Sequence, residues 1–163
     1  MRMTYILSIL IFFSCGQPIV TENESEVTSI SEVTQNGQLR TGWYFLSDKD
    51  NGIEKTLNGT KEIYYLNPSP IVTADNFTEL EIYQSNYGDY GMTIRLDKKG
   101  TKQWSIATGK SIGKKLALVI DNELYFLPQV NAQIDVGITA LNRGDLSETE
   151  LKAIKNIIEK EKK

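Results

Sequence analysis

The 163-residue chain has no histidine, a single cysteine and only four prolines. Without histidine it lacks the commonest general base, the usual serine triad and the commonest metal ligand. One cysteine, Cys15, excludes an internal disulfide and any zinc site built from several thiolates. No apolar run approaches the ~20 residues that a membrane-spanning helix needs. A basic excess is also missing, with 18 Lys and Arg against 21 Asp and Glu. From Arg40 onward the balance is 17 against 17. That argues against a nucleic-acid partner, which requires a basic face.

Carboxylates are the remaining candidates for chemistry. Asp48 and Asp50 fall in a turn, and Asp121 and Glu123 flank a hairpin, so solvated turn acids explain them. A carboxylate-pair enzyme requires two of Asp97, Asp121 and Asp135 to converge within about 5–10 Å. Gly109-Lys110-Ser111 imitates the end of a phosphate-binding loop. That motif needs a glycine where Trp104 stands, and it needs to lie between a strand and a helix. No metal, cofactor or small-molecule substrate is expected.

What is present begins at the N-terminus. Arg2 precedes an apolar run over residues 6–13, followed by Ser14-Cys15. This order fits a signal peptide over residues 1–14. Phe12-Phe13-Ser14-Cys15 is similar to a bacterial lipobox, which makes Cys15 the expected lipid-attachment site. Residues 15–39 hold Glu22, Glu24, Glu26 and Glu32 with no Lys or Arg. That composition favours a flexible, lipid-anchored tether, with a short amphipathic helix as the alternative. Lipid attachment would hold the chain at a membrane without a spanning helix.

Residues 40–163 read as one α+β domain, a mainly antiparallel sheet packed against two helices. Strands are expected over 41–47, 53–57, 61–66, 79–84, 92–96, 116–120 and 133–141. Pro68 and Pro70 are expected to break regular structure over 67–70. Asp97 is a plausible cap for a helix carrying Trp104 and Ala107, with Trp104 read as core. Gly113 ends that helix. The unbroken apolar run 116–120 suits a strand covered on both faces. Asp121-Asn122 can adopt the positive φ of a tight hairpin. Ser147 and Glu150 form a capping box for a second helix, with Leu151, Ile154, Ile157 and Ile158 as its buried stripe.

Residues 100–128 (GTKQWSIATGKSIGKKLALVIDNELYFLP) carry a resemblance. A strand ending in Leu96-Asp97-x-x-Gly100, a helix, Ile112-Gly113-Lys114-x-Leu116-Ala117, three apolar residues, Asp121, a returning strand and Pro128 resemble the SecD head subdomain. SecD belongs to the bacterial protein-export machinery. The likeness covers residues 64–160. In the following strand, where the family has a small ISG-type motif, only Gly137 is kept. The resemblance implies a SecD-head-like fold in which Asp97, Gly100, Gly113, Asp121, Pro128 and Gly137 are structural. SecD's multi-span membrane region has no counterpart, so coupling to proton flow is not expected.

These features lead to a non-enzymatic cell-envelope lipoprotein, with its folded part in the periplasm or at the cell surface. Its expected partners are a polypeptide or an envelope protein complex, plus the membrane through the N-terminal lipid. Lys114, Lys115 and Tyr125 are the candidate partner-binding residues. Several of the chain's tyrosines gathered on one face would form a peptide-binding patch. The alternative is a structural or regulatory envelope lipoprotein that reuses the fold without an export role.

Overall fold

Trp43 and Tyr44 are neighbours on one strand, and each is about 1% exposed. Adjacent strand residues point to opposite faces, so both faces of this sheet are covered. The computed structural model describes residues 37–162. Cys15 and the expected tether up to residue 36 lie outside these residues. Leu39, at the tether's expected end, is buried, and its N–H donates to Asn122 Oδ1 at 2.9 Å.

The strands are β1 (Gly42–Leu46), β2 (Ile53–Thr56), β3 (Ile63–Thr73), β4 (Phe77–Gln84), β5 (Tyr90–Leu96), β6 (Leu116–Ile120), β7 (Glu123–Phe126) and β8 (Ile138–Leu141). The helices are α1 (Lys98–Lys110) and α2 (Glu148–Glu161), and Ala74–Asn76 is a short 3₁₀ turn. The fold is α+β, as expected. It holds two antiparallel sheets where one was expected, ordered β2-β3-β1-β6-β7 and β4-β5-β8.

The five-stranded sheet curls until its ends meet. Leu57 bridges Leu124, and Asn58 N–H donates to Leu124 O at 2.7 Å. Inside the curl lie Leu39, Tyr44, Leu66, Ala117, Val119 and Leu124. The outer face presents Trp43, Leu116, Leu118 and Ile120 to a larger core shared with the second sheet and both helices. This is why β6 is apolar throughout: Ala117 and Val119 face one core, and Leu116, Leu118 and Ile120 the other.

Two expected boundaries are corrected. The chain does not break at 67–70, because β3 runs through Pro68 and Pro70. β2 pairs only as far as Leu66, so beyond it the prolines meet a single neighbour, β1. The pairing with β1 is also irregular between Tyr44 and Leu46. Edge positions and bulges are where a strand tolerates residues without an N–H. The strand expected over 133–141 is confined to Ile138–Leu141. Residues 133–137 lie instead along α1. Ile134 N–H donates to Thr108 Oγ1 at 3.0 Å, and Ser105 Oγ donates to Asp135 Oδ1 at 2.5 Å.

Candidate functional site

The β-sheet register builds the principal concavity. Trp43 pairs with Leu118, and Leu118 with Phe126, so one row crosses β1, β6 and β7 on the outer face. α1 lays Trp104 over this row. The Trp43 and Trp104 rings are 4.9 Å apart at 49°, and the Trp43 and Phe126 rings are 6.5 Å apart, edge to face. The aromatics form the floor of a groove of about 500 Å³. One wall is the segment from Pro128 to Ile134, and the other is β8 with Ile138, Thr139 and Ala140. No lining residue is charged. Among the described residues β8 pairs only with β5, so its other edge is free of strand partners there. Trp43 Nε1 and Trp104 Nε1 are buried and have no hydrogen-bond partner among the described residues.

A second concavity of about 300 Å³ shares Phe126 with the first. It brings together Lys115, Tyr125, Tyr64 and Arg143. Lys115 Nζ lies 5.8 Å from the centre of the Tyr64 ring. Tyr64 Oη donates to Glu62 at 2.6 Å, and this bond, with burial, holds its pKa above the ordinary tyrosine range. Burial, reinforced by Glu123, raises that of Tyr125. Arg143 donates to both Asp145 oxygens, to Asn58 Oδ1 at 3.0 Å and to Tyr125 O at 3.3 Å.

Of the three expected partner-binding residues, Lys115 and Tyr125 therefore meet. Lys114 lines neither concavity. Its backbone is held by Ser111 O and Val130 N at 2.8 Å each, and its side chain is exposed. Of the tyrosines, Tyr64 and Tyr125 share the second concavity, and three others lie elsewhere. Tyr44 is buried with its hydroxyl on Arg40 O, Tyr83 packs across Gly91, and Tyr87 is 94% exposed at a hairpin tip. Trp43, Trp104 and Phe126 make the aromatic surface of the first concavity. Trp104 is core, as expected, but it is also part of the groove floor. Sequence reasoning missed this grouping because the row depends on strand order. The only local signal was the Trp-Tyr-Phe alternation in β1.

The residues singled out by family pattern hold the frame. Asp97 accepts Gly100 N–H at 2.6 Å and Asn76 Nδ2 at 3.3–3.4 Å, which makes it a helix cap. Gly100 passes so close to Asn76 that an added Cβ would sit 2.9 Å from that residue's Cβ. Gly113 has φ of 78°, and its N–H donates to Val130 O at 2.8 Å. Asp121 has φ of 47° and donates its N–H to Thr41 Oγ1 at 3.0 Å. Pro128 accepts Leu116 N–H at 3.1 Å and lines the groove. Gly137, with φ of 65°, accepts Leu96 N–H at 2.8 Å. Asp135 is engaged with Ser105 and Gln133. Among the described residues no group of three or more His, Cys, Asp or Glu is placed to hold a metal ion. No described helix is long and apolar enough to cross a membrane.

Fold and groove together define a two-sheet α+β head domain with an uncharged cleft beside a free strand edge. Residues 50–159 match the family described as SecDF, P1 head subdomain, and the chain belongs to that family. The protein translocase subunit SecD of Rhodothermus marinus is 26% identical over 77 residues, covering 47% of this chain and 12% of that protein. Its counterpart in Calditerrivibrio nitroreducens is 27% identical over 75 residues, 45% of this chain and 14% of that one. The chain thus matches only about an eighth of the length of these curated relatives. Two solved structures share the fold with a TM-score of 0.59 over 75% of this chain. One is SecDF in its super-membrane-facing form, at 22% identity and 19% coverage of that chain. The other is SecDF described as a membrane component that enhances protein export, at 21% identity and 63% coverage.

Proposed function

We propose that this chain is a non-enzymatic cell-envelope lipoprotein whose head domain binds polypeptide and assists protein export. Cys15 carries the lipid, the residues after it form the tether up to the buried Leu39, and the head lies in the periplasm or at the cell surface. The observation that carries the reading is the SecDF P1 head assignment over residues 50–159. The uncharged groove beside the free edge of β8 supports it, because an extended chain can add to such an edge as a further strand. Lys115 and Tyr125, next to the groove, would meet the polar flank of the same partner.

The test is photo-crosslinking in intact cells, with photoreactive residues at Ile134 and Tyr125 and a comparison site at Lys114. Secreted chains or export-channel subunits should be captured from the first two positions. Capture of only outer-membrane or cell-wall components would favour a structural or regulatory lipoprotein that uses the fold as a scaffold. In the same cells Cys15→Ser should move the protein out of the membrane fraction.

A further inference from the structure

α1 carries its charge in an arrangement that its own stability does not explain. Six lysines fall between Lys98 and Lys115, and no Asp or Glu occurs from residue 98 to residue 120. Four of them, Lys98, Lys99, Lys102 and Lys110, lie on α1, and all four are exposed. Lys98 and Lys99 occupy the first turn, where the helix dipole disfavours positive charge, and no acidic residue stands there to offset them. Lys98 and Lys102 are four apart, a spacing at which like charges repel. Among the described residues none of the four forms an ion pair. α2 is built the other way. Its Lys152, Lys155 and Lys160 are mixed with Glu148, Glu150, Glu159 and Glu161, and Lys152 pairs with Glu148 at 2.7 Å.

Spacing gathers the α1 amines into one surface. Lys98, Lys102, Ile106 and Lys110 recur every fourth residue, so they form one ridge, with Lys99 beside it. The ridge lies opposite the buried side of α1, where Gly100, Trp104 and Ala107 pack. Ile106, within the ridge, is 48% exposed, and Ile112, just past the helix, is 56% exposed. Two acids that adjoin α1 are engaged: Asp97 caps it, and Asp135 accepts from Ser105 and Gln133. An exposed apolar side chain among unpaired amines suits an anionic bilayer surface. The ammonium groups meet headgroup phosphates, while their stems and the isoleucine reach the acyl boundary. A purely ionic partner gives Ile106 nothing to bury against.

We propose that the α1 ridge is a peripheral membrane contact that lays the head on anionic lipid. Lys98, Lys99, Lys102 and Lys110 sit at the headgroups, with Ile106 inserted between them. This goes beyond the proposed function. It needs no polypeptide partner, and an anchor at Cys15 would serve only to hold the bilayer within reach. Trp104 is on the far side of the helix, so the groove floor takes no part in the contact.

The full chain, as bacterial cells produce it, carries a photoreactive residue at Ile106 or, for comparison, at Lys152 on α2. The probes are vesicles of phosphatidylcholine alone or mixed with phosphatidylglycerol. Ile106 should cross-link to lipid in the mixed vesicles only, and raised salt should release it. Lys152 should cross-link in neither. The triple variant Lys98→Gln, Lys99→Gln, Lys102→Gln should weaken docking by about a hundredfold, about fivefold for each lysine near an anionic surface. It should unfold no more easily than wild type, because the charges it removes oppose the helix. Equal cross-linking in both kinds of vesicle, or cross-linking that survives the triple variant, would overturn the inference. So would protection of the ridge amines from acetylation by polyglutamate but not by mixed vesicles, which would assign the face to an acidic polypeptide. A protein that floats with phosphatidylcholine vesicles but never cross-links from Ile106 overturns this inference and leaves the lipid anchor standing. One that fails to float with them yet cross-links in mixed vesicles does the reverse, and one that does neither loses both.

Discussion

Gly113 and Gly137 both sit at positive φ, 78° and 65°, but they occupy different surroundings. A Cβ on Gly113 would meet nothing within 4 Å, whereas one on Gly137 would sit 2.2 Å from Thr101 Oγ1. That hydroxyl is not free to swing away, since it donates to Asp97 O at 2.7 Å. Gly113→Ala should therefore cost only the left-handed backbone penalty, about 1–2 kcal/mol. Gly137→Ala should cost about 3 kcal/mol, because overpacking is added to the backbone term. Urea unfolding of the two variants checks the difference, and equal losses would contradict the Thr101 contact. Both glycines stood out in the sequence. Their unequal cost did not, because it depends on what the fold brings up against each one.

At the scale of single elements, local chemistry explains most of what forms. Asp97 starts α1, and Ser147 with Glu150 starts α2 as a closed capping box. Leu151, Ile154 and Ile158 form α2's buried stripe, while Ile157 is only partly buried. These signals span a few residues, so they are legible in the sequence. The hydrogen bonds from the Ser147 hydroxyl and N–H hold Glu150's pKa below the ordinary glutamate range. The unfolded chain therefore takes up this proton more readily. The stabilisation is present above the ordinary glutamate pKa of about 4.3 and is lost as pH falls through the lower folded value. Glu150→Gln should be less stable than wild type at neutral pH, and the gap should close as pH falls below the ordinary glutamate pKa and through the lower folded value. Thermal unfolding across that range reads it. β3 is the element local chemistry misjudged. Two prolines argue for a break, but the partner strands leave those positions where no ladder bond is lost on the side beyond β2. The stretch 133–137 failed for the opposite reason: its apolar residues suit a strand, yet α1 supplies Thr108 and Ser105 as partners.

The whole molecule is tied at both ends of the curled sheet. At one end Thr41 Oγ1 donates to Glu161 at 2.7 Å and accepts Asp121 N–H, joining β1 to α2 and the β6–β7 turn. At the other, Arg143 joins the β8–α2 loop to Asn58 and to Tyr125 O, with its side chain 14% exposed. Arg143→Ala leaves the Asn58 and Tyr125 oxygens without this donor and should destabilise by about 1–3 kcal/mol. Faster amide exchange around Asn58 should accompany that loss. Lysine should not restore it, because a point charge cannot reproduce the fork that serves four acceptor oxygens on three residues. Elements with local causes are legible along the chain: the two capped helices, the two-faced β6, the Asp121-Asn122 hairpin and the family pattern between Leu96 and Pro128. Caps, turns and apolar periodicity act within a few residues, so they are written in order along the chain. The division into two sheets, the passage of β3 through its prolines, and the meeting of Trp43, Trp104 and Phe126 in one uncharged groove emerge only from long-range packing. Strand order and register set those contacts. They arise from residues far apart in sequence that meet only when both cores close.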